Sequence, residues 1–97
     1  MRCAIASMSD EALKAAAEKE IGRMEAVFKE LKVVNADAMA LYNLAVSYFS
    51  DSKHFLQKGD ALQAFEAAVI AWAYCDAGLH LRAFTVPDEL KKDFTVD

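Results

Sequence analysis

Apolar residues recur along the chain at steps of three and four, the spacing that places side chains on one face of an α-helix. The first such stretch begins at Ser7 or Ser9, either of which can cap a helix, and runs to about Lys32. Its charged residues are spaced so that they share the opposite face, which we predict to be solvated. The predicted inner face consists of Leu13, Ala17, Ile21, Met24, Phe28 and Leu31.

A second apolar stretch follows the sequence VVNAD, in which Asn35 is a suitable N-cap. Its apolar residues cover much of the circumference, so this helix is expected to contact both of its neighbours. Gly59 is predicted to end it in a left-handed conformation, and Asp60 with Gln63 resembles the start of a new helix. The predicted contact residues are Leu41, Ala45, Tyr48, Ser52 and Phe55 on one face, with Tyr42, Phe49 and Leu56 beside it.

The third predicted helix runs from Ala61 to about Ala83 and has two seams that can contact different helices. The large seam consists of Leu62, Phe65, Val69, Trp72, Asp76 and Leu79. The small seam consists of Ala61, Ala64, Ala68, Ala71, Cys75 and Gly78, which allow close approach of a neighbour. Together the helices predict an all-α fold, a compact three-helix up-down bundle over residues 1–84. Residues 85–97 are predicted to form a short tail or capping turn in which Val86, Leu90 and Phe94 cover the bundle.

Composition supports a helical protein, since 56% of the 97 residues are hydrophobic while only three are glycine and one is proline. The net charge of −4, with bases interleaved among acids, disfavours binding to nucleic acid. The longest apolar run, Ala67 to Cys75, is far shorter than the ~20 residues of a membrane span. The N-terminus lacks the pattern of a signal peptide. We therefore expect a cytoplasmic protein that does not bind membranes, with Cys3 and Cys75 as free thiols.

The sequence offers few starting points for catalysis or cofactor binding. A tetratricopeptide repeat would need a second turn like KGDALQ near residue 26 or 94, and neither place supplies one. The R-x(4–6)-H motif of HEPN ribonucleases and the common nucleotide, hydrolase and zinc motifs are also missing. No cofactor is expected. The aromatic residues at helical spacing, Tyr42, Tyr48, Trp72 and Tyr74, are better explained as core residues than as a platform for bases.

Two carboxylate–imidazole pairs have a spacing compatible with metal ligation or proton transfer. Asp51 and His54 are three residues apart, and Asp76 and His80 are four apart. Folding the second and third helices about Gly59 places the two acids at heights roughly 13 Å apart along the bundle, so a joint site is disfavoured. Surface histidines are the simpler interpretation.

Asp76 is the one acid within the large apolar seam, and we predict a structural role for it. An unpaired carboxylate there would be costly, so a hydrogen-bond partner must lie close. Antiparallel pairing of the helices nominates the Tyr42 hydroxyl first and the Arg23 guanidinium second.

One set of residues in the second and third helices forms a recognisable pattern: Tyr48, Asp51, Phe55, Lys58, Gly59, Asp60, Ala64, Phe65, Glu66, Ala71, Trp72, Asp76 and Ala77. This pattern resembles that of the archaeal family known as domain of unknown function 357. The resemblance implies a small three-helix bundle in an archaeal cytoplasm and implies no activity. Ala73 departs from the family pattern, where a glycine often follows the tryptophan.

From these features we expect a non-enzymatic protein-interaction or assembly module. Its partner is unidentified, and a second copy of the chain is one candidate, because Ile70 and Tyr74, with Ala67 and Ala77, flank the large seam. The alternative is a small-molecule or metal-binding protein, or a minor enzyme, that uses Asp51, His54 and Asp76.

Overall fold

Three long helices form the fold in a computed structural model that describes residues 9–96. Helix α1 spans Asp10–Glu30, α2 spans Met39–Gln57 and α3 spans Ala61–His80. Helix α3 packs against both of the others, whereas α1 and α2 meet over a smaller area. The predicted all-α three-helix architecture is confirmed.

Helix α1 begins as its sequence predicts, and its buried face matches the predicted one except that Val27 is buried while Leu13 and Phe28 are half-buried. The Ser9 side chain accepts a hydrogen bond from the Ala12 N–H (3.2 Å), and Asp10 and Glu11 occupy the first turn. Ser7 and Cys3 lie outside the described residues. The helix ends at Glu30, slightly before the expected position. Its buried residues are Ala17, Ile21, Met24 and Val27, and Leu31 is buried immediately after its end.

The bundle also contains a two-stranded antiparallel ribbon that the sequence analysis missed. Strand β1 (Lys32–Val33) was assigned to the end of the first helix and the loop after it, and strand β2 (Phe84–Thr85) to the bundle end and the tail. Lys32 pairs with Thr85 and Val33 with Phe84, and the Val34 N–H donates to the Ala83 carbonyl (2.8 Å). Two-residue strands are too short to produce an alternating pattern, so periodicity cannot reveal them.

Asn35 begins a short 3₁₀ turn, Ala36–Ala38, that leads into α2. Its side chain accepts from the Asp37 N–H (3.0 Å), so the cap serves this turn and not α2 itself. Within α2, Ala45, Phe49 and Ser52 are buried, and the other predicted contact residues are half-buried.

Helices α2 and α3 are joined by a tight turn at Gly59, whose φ of 82° confirms the predicted left-handed conformation. The Asp60 N–H donates to the Phe55 carbonyl and the Gly59 N–H to the Leu56 carbonyl, which is the Schellman arrangement. The Asp60 side chain then caps α3 by accepting from the Gln63 N–H (3.2 Å).

The small seam of α3 forms the centre of the core, and the large seam lies at its edge. The sequence did not rank the two seams, and Leu79 is the buried member of the large one. Leu62 is 40% exposed, while Phe65, Val69 and Trp72 are half-buried. A helix held between two others can approach both closely only where its side chains are small. The fully buried members of the small seam are Ala64, Ala68, Ala71 and Cys75.

The segment after α3 covers one end of the core. Phe84, Val86 and Phe94 are buried, and Leu90 packs against the buried cluster from a 3₁₀ segment, Asp88–Asp93. The predicted covering role of Val86, Leu90 and Phe94 is therefore confirmed. Phe84 lies directly on Gly78, where a Cβ atom would come within 2.1 Å of the ring.

Candidate functional site

An exposed apolar surface lies on the outer side of α2 and α3. On α3, Ile70 (38% exposed), Tyr74, Ala77 and Leu81 (72% exposed) follow each other at steps of four and three. At 100° per residue these four positions fall within about 60° of each other around the helix. We call this surface, together with Leu44 and Tyr48 of α2, the apolar patch.

Stacked tyrosines join the two helical parts of the apolar patch. The Tyr48 and Tyr74 rings lie 5.8 Å apart, centroid to centroid, with an interplanar angle of 23°. Leu44, 45% exposed, is one helical turn before Tyr48 and therefore shares its side of α2. The residues of the patch carry no charge, so their exposure to water is energetically unfavourable.

Only part of this surface was predictable from the sequence. Ile70, Tyr74 and Ala77 were expected there, and Ile70 and Ala77 are indeed exposed. Ala67 was also expected but is only 6% exposed, because it turns toward the core. Leu44 and Leu81 were missed, since the first lies on a helix that is apolar almost all round and the second was placed inside the last turn of a helix.

Trp72, Asp76 and His80 lie on one face of α3 and hold the C-terminal segment. The Trp72 indole N–H donates to the Asp93 carbonyl (2.7 Å), and its ring stacks on Phe94 with centroids 6.0 Å apart. Because Trp72, Asp76 and His80 are spaced by four residues, their side chains form one row along the helix. We refer to this row as the clasp.

Asp76 is the central residue of the clasp, and it is bonded as a structural acid would be. Its two carboxylate oxygens accept from the Thr95 N–H (2.9 Å) and the Thr95 hydroxyl (2.7 Å). The His80 Nε2 atom lies 2.5 Å from the same hydroxyl and 3.7 Å from the carboxylate. Thr95 was missed because nothing in the sequence places the tail beside this face.

Both partners nominated for Asp76 from the sequence are wrong. The Tyr42 ring packs edge-on against Phe28 and Phe84, at centroid distances of 6.2 and 6.1 Å. The Arg23 guanidinium bonds Glu20 of its own helix. Antiparallel folding of the helices could not indicate which side of α3 the tail covers.

Asp51 and His54 are exposed on α2. Among residues 9–96, no three histidine, cysteine, aspartate or glutamate side chains lie close enough together to hold a metal ion. Asp51, His54 and Asp76 are therefore not brought together as a metal-holding group. Asp60 and Gly59 belong to the interhelical turn described above.

Cys75 is the buried thiol of the core, and it is unpaired. Burial in apolar surroundings raises its pKa from 9.0 to about 12, because the thiolate would lose its solvation. A thiol of this kind is a poor nucleophile at neutral pH. No helix in the described part of the chain combines the length and apolar content needed to cross a membrane.

Comparison with known proteins identifies the same family that the sequence resembles. A family model described as "Protein of unknown function (DUF357)" matches residues 6–84. The crystal structure of protein AF1782 from Archaeoglobus fulgidus, also of DUF357, is similar with a TM-score of 0.71 and 32% sequence identity. The similarity covers 80% of this chain and 97% of that one. No curated protein matches the chain.

Proposed function

The chain belongs to the DUF357 family, whose description assigns no activity, so we propose a function from its own surface: a protein-interaction module that self-associates through the apolar patch. The observation that carries this proposal is the exposure of Ile70, Leu81 and Leu44 on one side of the molecule. Contiguous apolar surface of this kind favours a protein partner, since association removes it from water.

The shape of the patch supports a second copy of the chain as the partner. Ile70 and Leu81 are equally far from the midpoint between Cys75 and Asp76, and so are Tyr74 and Ala77. If two α3 helices pack antiparallel about this midpoint, Ile70 of each copy meets Leu81 of the other. The large Tyr74 side chain then meets the small Ala77, so bulk and space complement each other across a two-fold axis.

Sedimentation velocity over micromolar to millimolar concentrations tests this proposal. We expect a concentration-dependent dimer that Ile70→Glu abolishes, because each dimer would bury two unpaired carboxylates. Leu62→Glu is the matched control: Leu62 is 40% exposed on the same helix, lies about 80° away from Ile70, and should leave the dimer intact.

The salt dependence of the dimer provides a further check on self-association. Each copy carries a net charge of −4, so two copies repel one another and added salt should strengthen the dimer by screening. A protein that stays monomeric at every concentration and salt level would refute self-association. An equal loss in Ile70→Glu and Leu62→Glu would refute the assignment to this patch.

A further inference from the structure

A cleft of about 560 Å³ opens between the end of α3, strand β2 and the C-terminal segment. Its apolar wall consists of Leu79, Phe84, Val86 and Val96. The polar side chains His80, Arg82 and Lys91 share the same cleft, along with two threonines, and within residues 9–96 no acidic residue lines it. Two of these three groups lie close to an acid just outside the lining, Lys91 to Asp88 (3.0 Å) and His80 to Asp76 (3.7 Å), so Arg82 is the cation of the cleft to consider.

The positive groups of the cleft differ in how far they are already engaged. The Lys91 ammonium lies 3.0 Å from the Asp88 carboxylate, and His80 is bonded within the clasp. The Arg82 guanidinium has no hydrogen-bond or ion-pair partner among the described residues. Within residues 9–96, nothing therefore competes with a ligand for its five donors.

The backbone at Arg82 provides a second, independent observation. Helix α3 ends in a Schellman arrangement, with the Ala83 N–H donating to the Gly78 carbonyl (2.9 Å) and the Arg82 N–H to the Leu79 carbonyl (3.0 Å). Arg82 thus takes the left-handed position, with φ of 58°. The same position at the end of α2 is filled by Gly59, so this chain uses glycine where only the turn matters. A non-glycine residue at this position costs stability, and within residues 9–96 the Arg82 side chain makes no hydrogen bond or ion pair.

We propose that this cleft binds an organic anion, with an apolar body against the wall and a carboxylate, phosphate or sulfonate head on Arg82. A planar guanidinium can bind such a head through two parallel hydrogen bonds. The cleft is larger than a free inorganic anion needs, and its apolar wall favours a ligand with a carbon skeleton.

A matched pair of fluorescent probes tests this inference on the full chain. 8-Anilinonaphthalene-1-sulfonate carries the anionic head, and N-phenyl-1-naphthylamine has the same ring system without it. We expect the sulfonate to bind with one site per chain and Arg82→Gly to weaken it by about tenfold or more, as for loss of a charge-assisted hydrogen bond. The neutral probe should bind both proteins equally.

Arg82→Gly separates binding from folding, because glycine suits the left-handed backbone and the variant should be at least as stable as the parent. Lys92→Ala is the charge-matched control, since Lys92 is exposed and does not line the cleft. Amide shifts on adding the sulfonate should centre on Thr85 and Thr95. Shifts confined to Ile70 and Tyr74, unchanged sulfonate affinity in Arg82→Gly, or an equal loss in Lys92→Ala would each overturn the proposal.

Discussion

Asp76 illustrates how one carboxylate can bind the end of a chain segment to a helix. It accepts two hydrogen bonds from Thr95, one from the backbone and one from the hydroxyl. Asp76→Ala should lower the free energy of unfolding by about 1 to 3 kcal/mol, because the Thr95 N–H loses its acceptor. Asp76→Asn should cost less, since the amide oxygen can still accept that bond.

Chemical denaturation of the parent and both Asp76 variants measures these costs. Asp51→Ala is the control, because Asp51 is an exposed helical acid and its loss should change stability by no more than about 0.5 kcal/mol. If Asp76→Ala is as stable as the parent, the clasp does not stabilise the fold. The structural interpretation of Asp76 would then be wrong.

The buried Cys75 thiol predicts a specific pattern of reactivity. Because burial raises its pKa to about 12, the folded protein should react very slowly with a disulfide reagent at pH 8, and denaturant should restore the ordinary rate. The measurement uses the Cys3→Ser variant, so that one thiol remains. The sign of the shift also means that stability is lost as pH rises from 9 toward 12, where the unfolded thiol ionises first. Fast native reactivity at pH 8 would contradict the burial.

At the level of elements, replacing two helical glycines by alanine should change the stability in opposite directions. Gly78 of α3 leaves no room for a Cβ atom beneath Phe84, so Gly78→Ala should destabilise the protein by about 1 to 3 kcal/mol through overpacking. Gly22 lies on the exposed side of α1, and an added methyl group there would meet nothing within 4 Å, so Gly22→Ala should stabilise the protein by about 0.5 to 1 kcal/mol. Thermal denaturation of both variants provides the test, and a shift of the same sign in both would refute this account.

The elements also indicate what a single sequence can and cannot predict. The caps at Ser9 and Asp60 and the turn at Gly59 were predicted, because each depends on a few neighbouring residues. The β1–β2 ribbon was not, because it joins segments that are distant in the chain and too short for a periodic signal. The same reason hid the Thr95 partner of Asp76.

The relative burial of the two α3 seams could not be predicted from the sequence, for a different physical reason. Side-chain size predicts how much a residue gains from burial, but the space between packed helices decides which residues fit there. Of the candidate functional residues, Trp72 and Asp76 lie together in the clasp, whereas Asp51 and His54 lie apart from it on α2. The helix on which each candidate residue lies was therefore predictable from the sequence. The residue that it contacts on another segment was not.

At the scale of the whole molecule, the bundle and the C-terminal segment meet through the clasp and the ribbon. The family match ends at residue 84, and we propose that residues 1–84 fold without the segment that follows. A chain truncated after residue 84 should remain helical but be less stable, because Trp72 loses both Phe94 and the Asp93 carbonyl. Buried apolar surface would also be exposed where Val86 and Phe94 now lie.

Fluorescence provides a direct measurement of this effect, since Trp72 is the one tryptophan of the chain. Truncation should shift its native emission to longer wavelength as the ring becomes more exposed to water. The slope of unfolding free energy against denaturant should fall, because less surface is buried in the shorter fold. Phe94→Ala in the full chain should reproduce part of the stability loss while keeping the Trp72 hydrogen bond. If the truncated chain is unfolded, the C-terminal segment is an integral part of one cooperative domain. If the truncated chain is as stable as the parent, docking of the segment contributes nothing to folding.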